Sequence, residues 1–172
     1  MIRQANAADI DAIEEIYDNI HAAEERGALC IGWARGVYPV RGTAETALRR
    51  GELFVFDDAG VVKAAGIINK TQVDVYEGAP WKYAAEPDEV CVLHTLTVEP
   101  GCAGGGIGTK FVAFYEEYAA SHGCTVLRMD TNAKNAAARR LYARLGYREA
   151  GIVPCVFNGL AGVNLVLLEK KI

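Results

Sequence analysis

A chain of 172 residues, 51% apolar and 23% charged, has the length and make-up of roughly one globular domain. Its net charge of -4 argues against nucleic acid or an anionic membrane as partner, since both favour a basic face, and suits an amine substrate better. Five scattered cysteines (Cys30, Cys91, Cys102, Cys124, Cys155) contain no Cys-x-x-Cys pair, so neither a disulfide framework nor a zinc site is expected.

The opening MIRQANAADID lacks the basic-then-apolar pattern of an export signal. No later apolar run approaches the roughly 20 residues of a membrane span, so a reducing cytoplasm is the expected compartment. Ile2–Gln4 reads as a short strand. Asn6 then caps a helix whose Ile10, Ile13, Ile16 and Ile20 form one apolar stripe, with Glu14, Glu15 and Asp18 on the opposite face. Residues 27–42 hold four glycines and Pro39 and read as a loop carrying Trp33 and Tyr38; a short helix from Thr43 to Arg50 follows.

Leu53–Phe56 and Val61–Asn69 pair as a hairpin around Asp57-Asp58-Ala59-Gly60, and a continuation of the second strand through Thr71–Tyr76 stays open. A polar loop, Gly78–Asp88, leads into EVCVLHTLTV (Glu89–Val98), apolar on both faces as a central strand would be. Ile107, Phe111, Phe114 and Tyr118 mark a helix ending near Ser121-His122-Gly123. Cys124–Asp130 is the next buried strand, and Asn135–Leu145 is an Ala/Arg/Leu-rich helix stopped by Gly146. Tyr147–Gly151 and Val163–Leu168 close the chain as strands. The order β-α-α-β-β-β-α-β-α-β-β, undivided by repeat or linker, predicts one α/β (α+β) layer sandwich over residues 1–172, with a mixed central sheet of about seven strands and helices on both faces.

Between the central strand and its helix stands PGCAGGGIG (Pro100–Gly108), and glycine in such density needs a reason, because each one loses backbone freedom on folding. A strand, a glycine-rich turn and a helix can cradle phosphate with unpaired amides at the helix N-terminus. A P-loop fails on spacing: no Gly-Lys falls four residues after a glycine, and Lys110 follows Thr109. A dinucleotide fingerprint needs glycine where Thr109 or Phe111 stands, although Asp130 imitates its ribose-binding acid. A turn without ligand is the remaining alternative to a coenzyme A pyrophosphate loop.

LTVEPGCAGGGIGTKFV followed by DTNAKNAAARRLYARLGYREAGI resembles the GNAT superfamily of acyl-CoA N-acyltransferases, closely over Val90–Ile152. That family's Arg/Gln-x-x-Gly-x-Gly/Ala motif maps onto Ala103-Gly104-Gly105-Gly106-Ile107-Gly108, with Ala103 standing where Arg or Gln is usual. The resemblance implies the GNAT fold, acetyl-CoA as co-substrate with no metal, and cofactor contacts from Leu96, Thr97, Val98, Ala103 to Thr109, Asn135 and Tyr142. It places a β-bulge near Leu96–Val98, Asn135 against the pantetheine or phosphate region, and Tyr142 against the thioester sulfur. Asn135 and Tyr142, seven residues apart, share a helix face about 10 Å apart along the axis; Asn135 also reads as a plain N-cap, and Tyr142 as a core-edge aromatic.

Acyl transfer to an amine needs a proton acceptor for an ammonium of pKa ~10, donors for the charge developing on oxygen, and protonation of the leaving thiolate. On the central strand His94 and Glu89 are the candidate bases; a lone buried histidine reads equally as a hydrogen-bonded core residue, and water is the third choice. Trp33, Tyr38, Trp81 and Tyr83, with Tyr76, are expected around the acceptor. The implied activity is acetyl transfer to a primary amine of a small molecule, peptide or protein by direct attack on the thioester. A non-catalytic acyl-CoA-binding module and a nicotinamide-nucleotide enzyme are the alternatives, and a homodimer stays open.

Overall fold

In the computed structural model, which describes residues 1–172, the N-terminal isoleucine stripe is buried along α1 (Ile10–Glu25), where Ile10, Ile13, Ile16, Tyr17 and Ile20 all face inward. Asn6 caps the short 3-10 turn Ala7–Asp9 that leads into it, accepting from the Ala8 amide while Asp9 bonds back to the Asn6 amide. The remaining elements are β1 (Ile2–Gln4), α2 (Arg41–Arg49), β2 (Leu53–Asp58), β3 (Val61–Asn69), β4 (Val90–Val98), α3 (Ile107–Ser121), β5 (Val126–Asn132), α4 (Ala136–Arg144), β6 (Arg148–Phe157) and β7 (Leu160–Lys171).

These strands form a seven-stranded sheet in the order β1-β2-β3-β4-β5-β7-β6, antiparallel except for the β4–β5 pair. The mixed sheet and the order of elements agree with the sequence expectation. Because strand side chains alternate, the two faces bury different sets. Leu53, Val55, Ala65 and Ile67 pack under α1 and α2, whereas Leu93, Leu127, Met129, Val166 and Leu168 pack with Phe111, Val112 and Tyr115 of α3.

Beyond α1 and α2, the first face has no helix over β5 and β7. Its Val126, Val163, Leu165 and Leu167 are roofed instead by the segment between β3 and β4, through Tyr76 and, at its edges, Trp81 and Tyr83. Three local expectations are corrected here. The helix expected from Thr43 starts two residues earlier, at Arg41. The second hairpin strand stops at Asn69, and Asp74–Tyr76 is a 3-10 turn, because this segment lies across the sheet as its cover. The last two strands are longer than expected and form a hairpin whose turn residues, Asn158 and Gly159, have φ of 50° and 78°. An Asn-Gly pair between β-formers is the signature of a two-residue hairpin turn, and it explains the pairing that the composition of the tail obscured.

Candidate functional site

The site begins as a fault in the sheet. β4 and β5 pair only from Val90/Val126 to Leu93/Met129. Past that point β5 stays registered with β7 as far as Asn132–Leu165, and β4 stays with β3 as far as Val98–Ala64, so each strand follows its outer neighbour and the two part. The divergence coincides with a bulge: Thr95 and Leu96 together oppose the single position between Ala65 and Ile67 on β3. This is one residue before the region expected from the family pattern. Thr95 sits at φ 50°, a conformation costly for a β-branched residue, on the order of 1–3 kcal/mol. Its hydroxyl is hydrogen-bonded to that of Tyr38, which ties the loop after α1 to the bulge.

Between the parted strands lies a cleft of about 610 Å³. One end is walled by main chain. Ala103, Gly104, Gly106, Ile107, Gly108 and Thr109 line it, as do Leu96, Thr97 and Val98 of β4. Gly106, immediately before α3, has φ 76°, and a Cβ there would meet nothing within 4 Å, so the hollow above it opens to the cleft. The first helical bond runs from Lys110 N to Gly106 O at 3.0 Å, which leaves the amides of the first turn without intrahelical acceptors. Gly108 does a different job: a Cβ would lie 3.2 Å from Leu141 Cδ2, so its absence lets α3 and α4 close together. Gly105, like Gly101, does not reach the cleft; a Cβ at Gly105 would lie 3.2 Å from Cys102 O. Arg144, one helical turn beyond Leu141, and Lys134 also line the cleft and have no acidic partner, in contrast to the paired Arg35, Arg41 and Arg139.

Asn135 is the N-cap of α4, accepting from Ala138 N at 3.1 Å, and it also lines the cleft. Tyr142 is buried against Tyr147, with ring centroids 6.0 Å apart, and reaches the cleft from the α3 face of the sheet. Burial, with the field of Asp130 behind it, pushes its phenol well above the usual range.

The opposite end is walled by side chains. Asp130, near the end of β5, enters the cleft from the other face of the sheet. Its carboxyl pKa is pushed up to about 6 by burial, opposed by a hydrogen bond from Tyr76 Oη to Oδ2 at 2.7 Å. Trp33 and Tyr38 both line this region and pack edge to face, centroids 5.9 Å apart. Their loop is fixed by Glu24, whose carboxylate accepts from the amides of Ile31 and Gly32, each at 2.7 Å. In the sequence Asp130 stands out only as the acid at the end of its strand that imitates a ribose-binding residue; Tyr76 has no local signal for this contact.

His94 lies on the floor of the cleft and also borders a second, polar cavity of about 470 Å³ beneath α2. Its Nε2 is 3.0 Å from Asn69 Oδ1, and Asn69 is oriented by donating to Glu52 and accepting from Thr71 N, both at 2.9 Å. With Asn69 so turned, Nε2 carries the hydrogen. Burial lowers the imidazole pKa, against smaller opposing effects of the Thr71 backbone and Glu52, so the ring is neutral at pH 7.

Glu89 does not belong to the site. It ends a 3-10 turn before β4, where its carboxylate accepts from Glu86 N at 3.0 Å. The cleft opens at the far end of that strand, roughly 20 Å away at 3.3 Å per residue. Trp81 and Tyr83 are likewise outside the cleft. Trp81 donates Nε1 to Tyr76 O at 3.0 Å and lies 4.2 Å from the Arg128 guanidinium, while the Tyr83 amide bonds to the buried Glu169. The sequence expectation puts both, with Tyr76, at the other wall of the acceptor pocket, but their segment turns them onto the sheet. No helix is long and apolar enough to cross a membrane.

Comparison with known proteins bears on this geometry. Residues 13–147 match the acetyltransferase (GNAT) family. An uncharacterized N-acetyltransferase of Methanocaldococcus jannaschii is 32% identical over 78 residues, 45% of this chain and 49% of that protein. A second from the same organism is 33% identical over 73 residues, 42% of this chain and 32% of its own length. The chain thus spans half or less of these relatives. Among solved structures, a GNAT-family acetyltransferase from Listeria monocytogenes superposes with a TM-score of 0.75 at 21% identity, covering 100% of this chain and 94% of that one. The ribosomal-protein-alanine N-acetyltransferase of Brucella melitensis gives 0.72 at 21% identity, with 100% and 99% covered. A Salmonella typhimurium protein solved with its cofactor acetyl-CoA gives 0.70 at 21%, with 99% and 92% covered. At these identities the likeness is one of fold.

Proposed function

Because this chain belongs to the acetyltransferase (GNAT) family, we propose that it is an acetyl-CoA-dependent N-acetyltransferase acting on a primary amine of a small molecule, peptide or protein. The observation that carries this reading is the cleft itself, with helix-terminal amides and unpaired cations at one end and a half-buried carboxylate without a cation at the other. The fit to acetyl-CoA rests on the open hollow at Gly106 and on the β4 edge from Leu96 to Val98, which has no partner strand on the β5 side and is free to bond an extended pantetheine arm. Ala103 gives no charged contact, and Lys134 and Arg144 supply cations to the phosphates in its place.

Acetyl-CoA supplies an activated acyl carbon and a thiolate leaving group. The protein does the rest. Main-chain amides beside the Thr95–Leu96 bulge donate to the acyl oxygen as negative charge builds there. Tyr142 Oη donates to sulfur as the bond to carbon breaks. Asp130 holds the incoming ammonium by charge and takes its proton, and Trp33 and Tyr38 exclude water around the amine. His94, neutral and tied to Asn69, is a wall of the site and not its base.

The experiment is an amine panel scored by release of the coenzyme A thiol, beside thermal shifts with acetyl-CoA and NADH. A single-site ligand at 100 times its Kd stabilises by about 2.7 kcal/mol. Stabilisation by acetyl-CoA with thiol release on at least one amine is expected. Stabilisation with no release on any amine would support the binding-module reading instead.

A further inference from the structure

The segment between β3 and β4 is a cover for the sheet, but one of its side chains does more than cover. Tyr76 is buried, does not line the cleft, and meets it only through Asp130. We propose, on the basis of the acetyl-transfer reading above, that Tyr76 is a positioning residue for the acceptor reaction: its phenol donates to Oδ2 of Asp130 and turns Oδ1 to the amine.

The phenol is held from several sides. Its ring packs edge to face with Trp81, centroids 5.3 Å apart, and Trp81 Nε1 bonds the Tyr76 carbonyl. Trp81 is covered by the Arg128 guanidinium, which also bonds Gln72 and the Tyr83 carbonyl, at 3.3 Å for the latter. Glu169, with no exposed surface, accepts from the amides of Lys82 at 2.8 Å and Tyr83 at 3.2 Å. A cover this closely tied fixes the direction of the Tyr76 Oη–H bond before any ligand arrives, as preorganised donors require.

The groups facing Asp130 explain why one hydrogen bond matters. Tyr38 from the loop after α1, Tyr142 from α4 and Cys155 from β6 all feel its charge, and none is basic. Arg128, two residues back on the same face of β5, is engaged by Gln72, Tyr83 and Trp81. His94, across the cleft on β4, is neutral. Burial therefore works against the ionised acid with only the Tyr76 phenol opposing it. When an ammonium docks, an N–H bond breaks and an Oδ1–H bond forms. The charged pair becomes a neutral amine and a neutral acid, and the freed lone pair attacks the acyl carbon. A deprotonated acid is needed first, so kcat/KM rises with pH through the pKa of Asp130.

Tyr76→Phe keeps the ring and removes the donor. The acid limb of kcat/KM is expected to move to higher pH by about one to two units, because the ionised carboxylate loses the phenol that donates to it. The rate at pH 9 and the KM for acetyl-CoA stay within about threefold of wild type, and in an Asp130→Asn background the same substitution changes the rate little. An unmoved limb with a uniform loss of rate at every pH, or an equal loss in the Asp130→Asn background, would show that Tyr76 only supports the fold and overturn the proposal. The carboxyl carbon shift of Asp130, titrated in wild type and in Tyr76→Phe, reads the same change with no acceptor present, so its failure is distinct from a failure of the acetyl-transfer reading.

Discussion

The two ends of the cleft are built by opposite means. At the glycine end, the cleft is shaped by the absence of side chains: Gly104 and Gly106 in left-handed conformations and a helix terminus with free amides, all within one short stretch of chain. At the acidic end, Asp130 of β5, Trp33 and Tyr38 of the first loop, and Tyr76 of the sheet cover meet from three segments widely separated in sequence. A main-chain cradle specifies a ligand by shape and is encoded locally. A side-chain cluster specifies a charge and exists only once the sheet has parted.

Substitutions at the two ends should therefore fail differently, and the largest effect is expected at the acidic end. Asp130→Asn should lower kcat/KM for the amine about 10²- to 10⁴-fold, the usual range for a general acid or base, with coenzyme A affinity unchanged. The same change should stabilise the fold. The folded pKa of Asp130 is raised to about 6 from 3.8, so its contribution to stability is complete below the unfolded value and is lost as pH rises through the folded one. Removing the charge should thus add about 3 kcal/mol at pH 8, seen as a higher Tm that converges with wild type below pH 4. A loss of coenzyme A binding in this variant would break the separation between the two ends.

Tyr142→Phe tests the middle of the cleft, with kcat and kcat/KM for acetyl-CoA expected to fall together by about 100-fold, because only a transition-state contact is removed. Rates within twofold of wild type at saturating acetyl-CoA would make Tyr142 a packing residue. At the glycine end, Gly106→Val forces a branched side chain into a left-handed backbone and into the hollow; coenzyme A affinity should drop roughly 10- to 100-fold by calorimetry, with little change in the amine KM. The smallest expected effect is Arg144→Ala, a several-fold loss of coenzyme A affinity that shrinks as salt rises, as an exposed phosphate contact should.

The same contrast explains what could be read from the chain before folding. The glycine run, the N-cap Asn135 and the helix carrying Tyr142 were legible because spacing along one helix or one turn fixes their geometry. The helices, the first hairpin and the central strand were legible from period and turn residues. The acceptor end was not. Glu89 and His94 read as candidate bases on one strand, with His94 the first choice; a strand extends about 3.3 Å per residue, so His94 lies at the open end and Glu89, in the turn before β4, far from it. Trp81 and Tyr83 are near neighbours of Tyr76 in sequence, and only the fold of their segment over β5 and β7 sends Tyr76 to Asp130 and the other two to Arg128 and Glu169.

By itself, then, the amino-acid sequence determined the family, the mixed sheet with helices on both faces, and the cradle at the start of α3, because each follows from short-range periodicity, backbone freedom or local capping. The tertiary structure alone decided where β4 leaves β5, which acid borders the gap and which phenol bonds it. Those depend on the register of β4 with β3 and of β5 with β7, and register is a relation between distant strands that no local pattern contains.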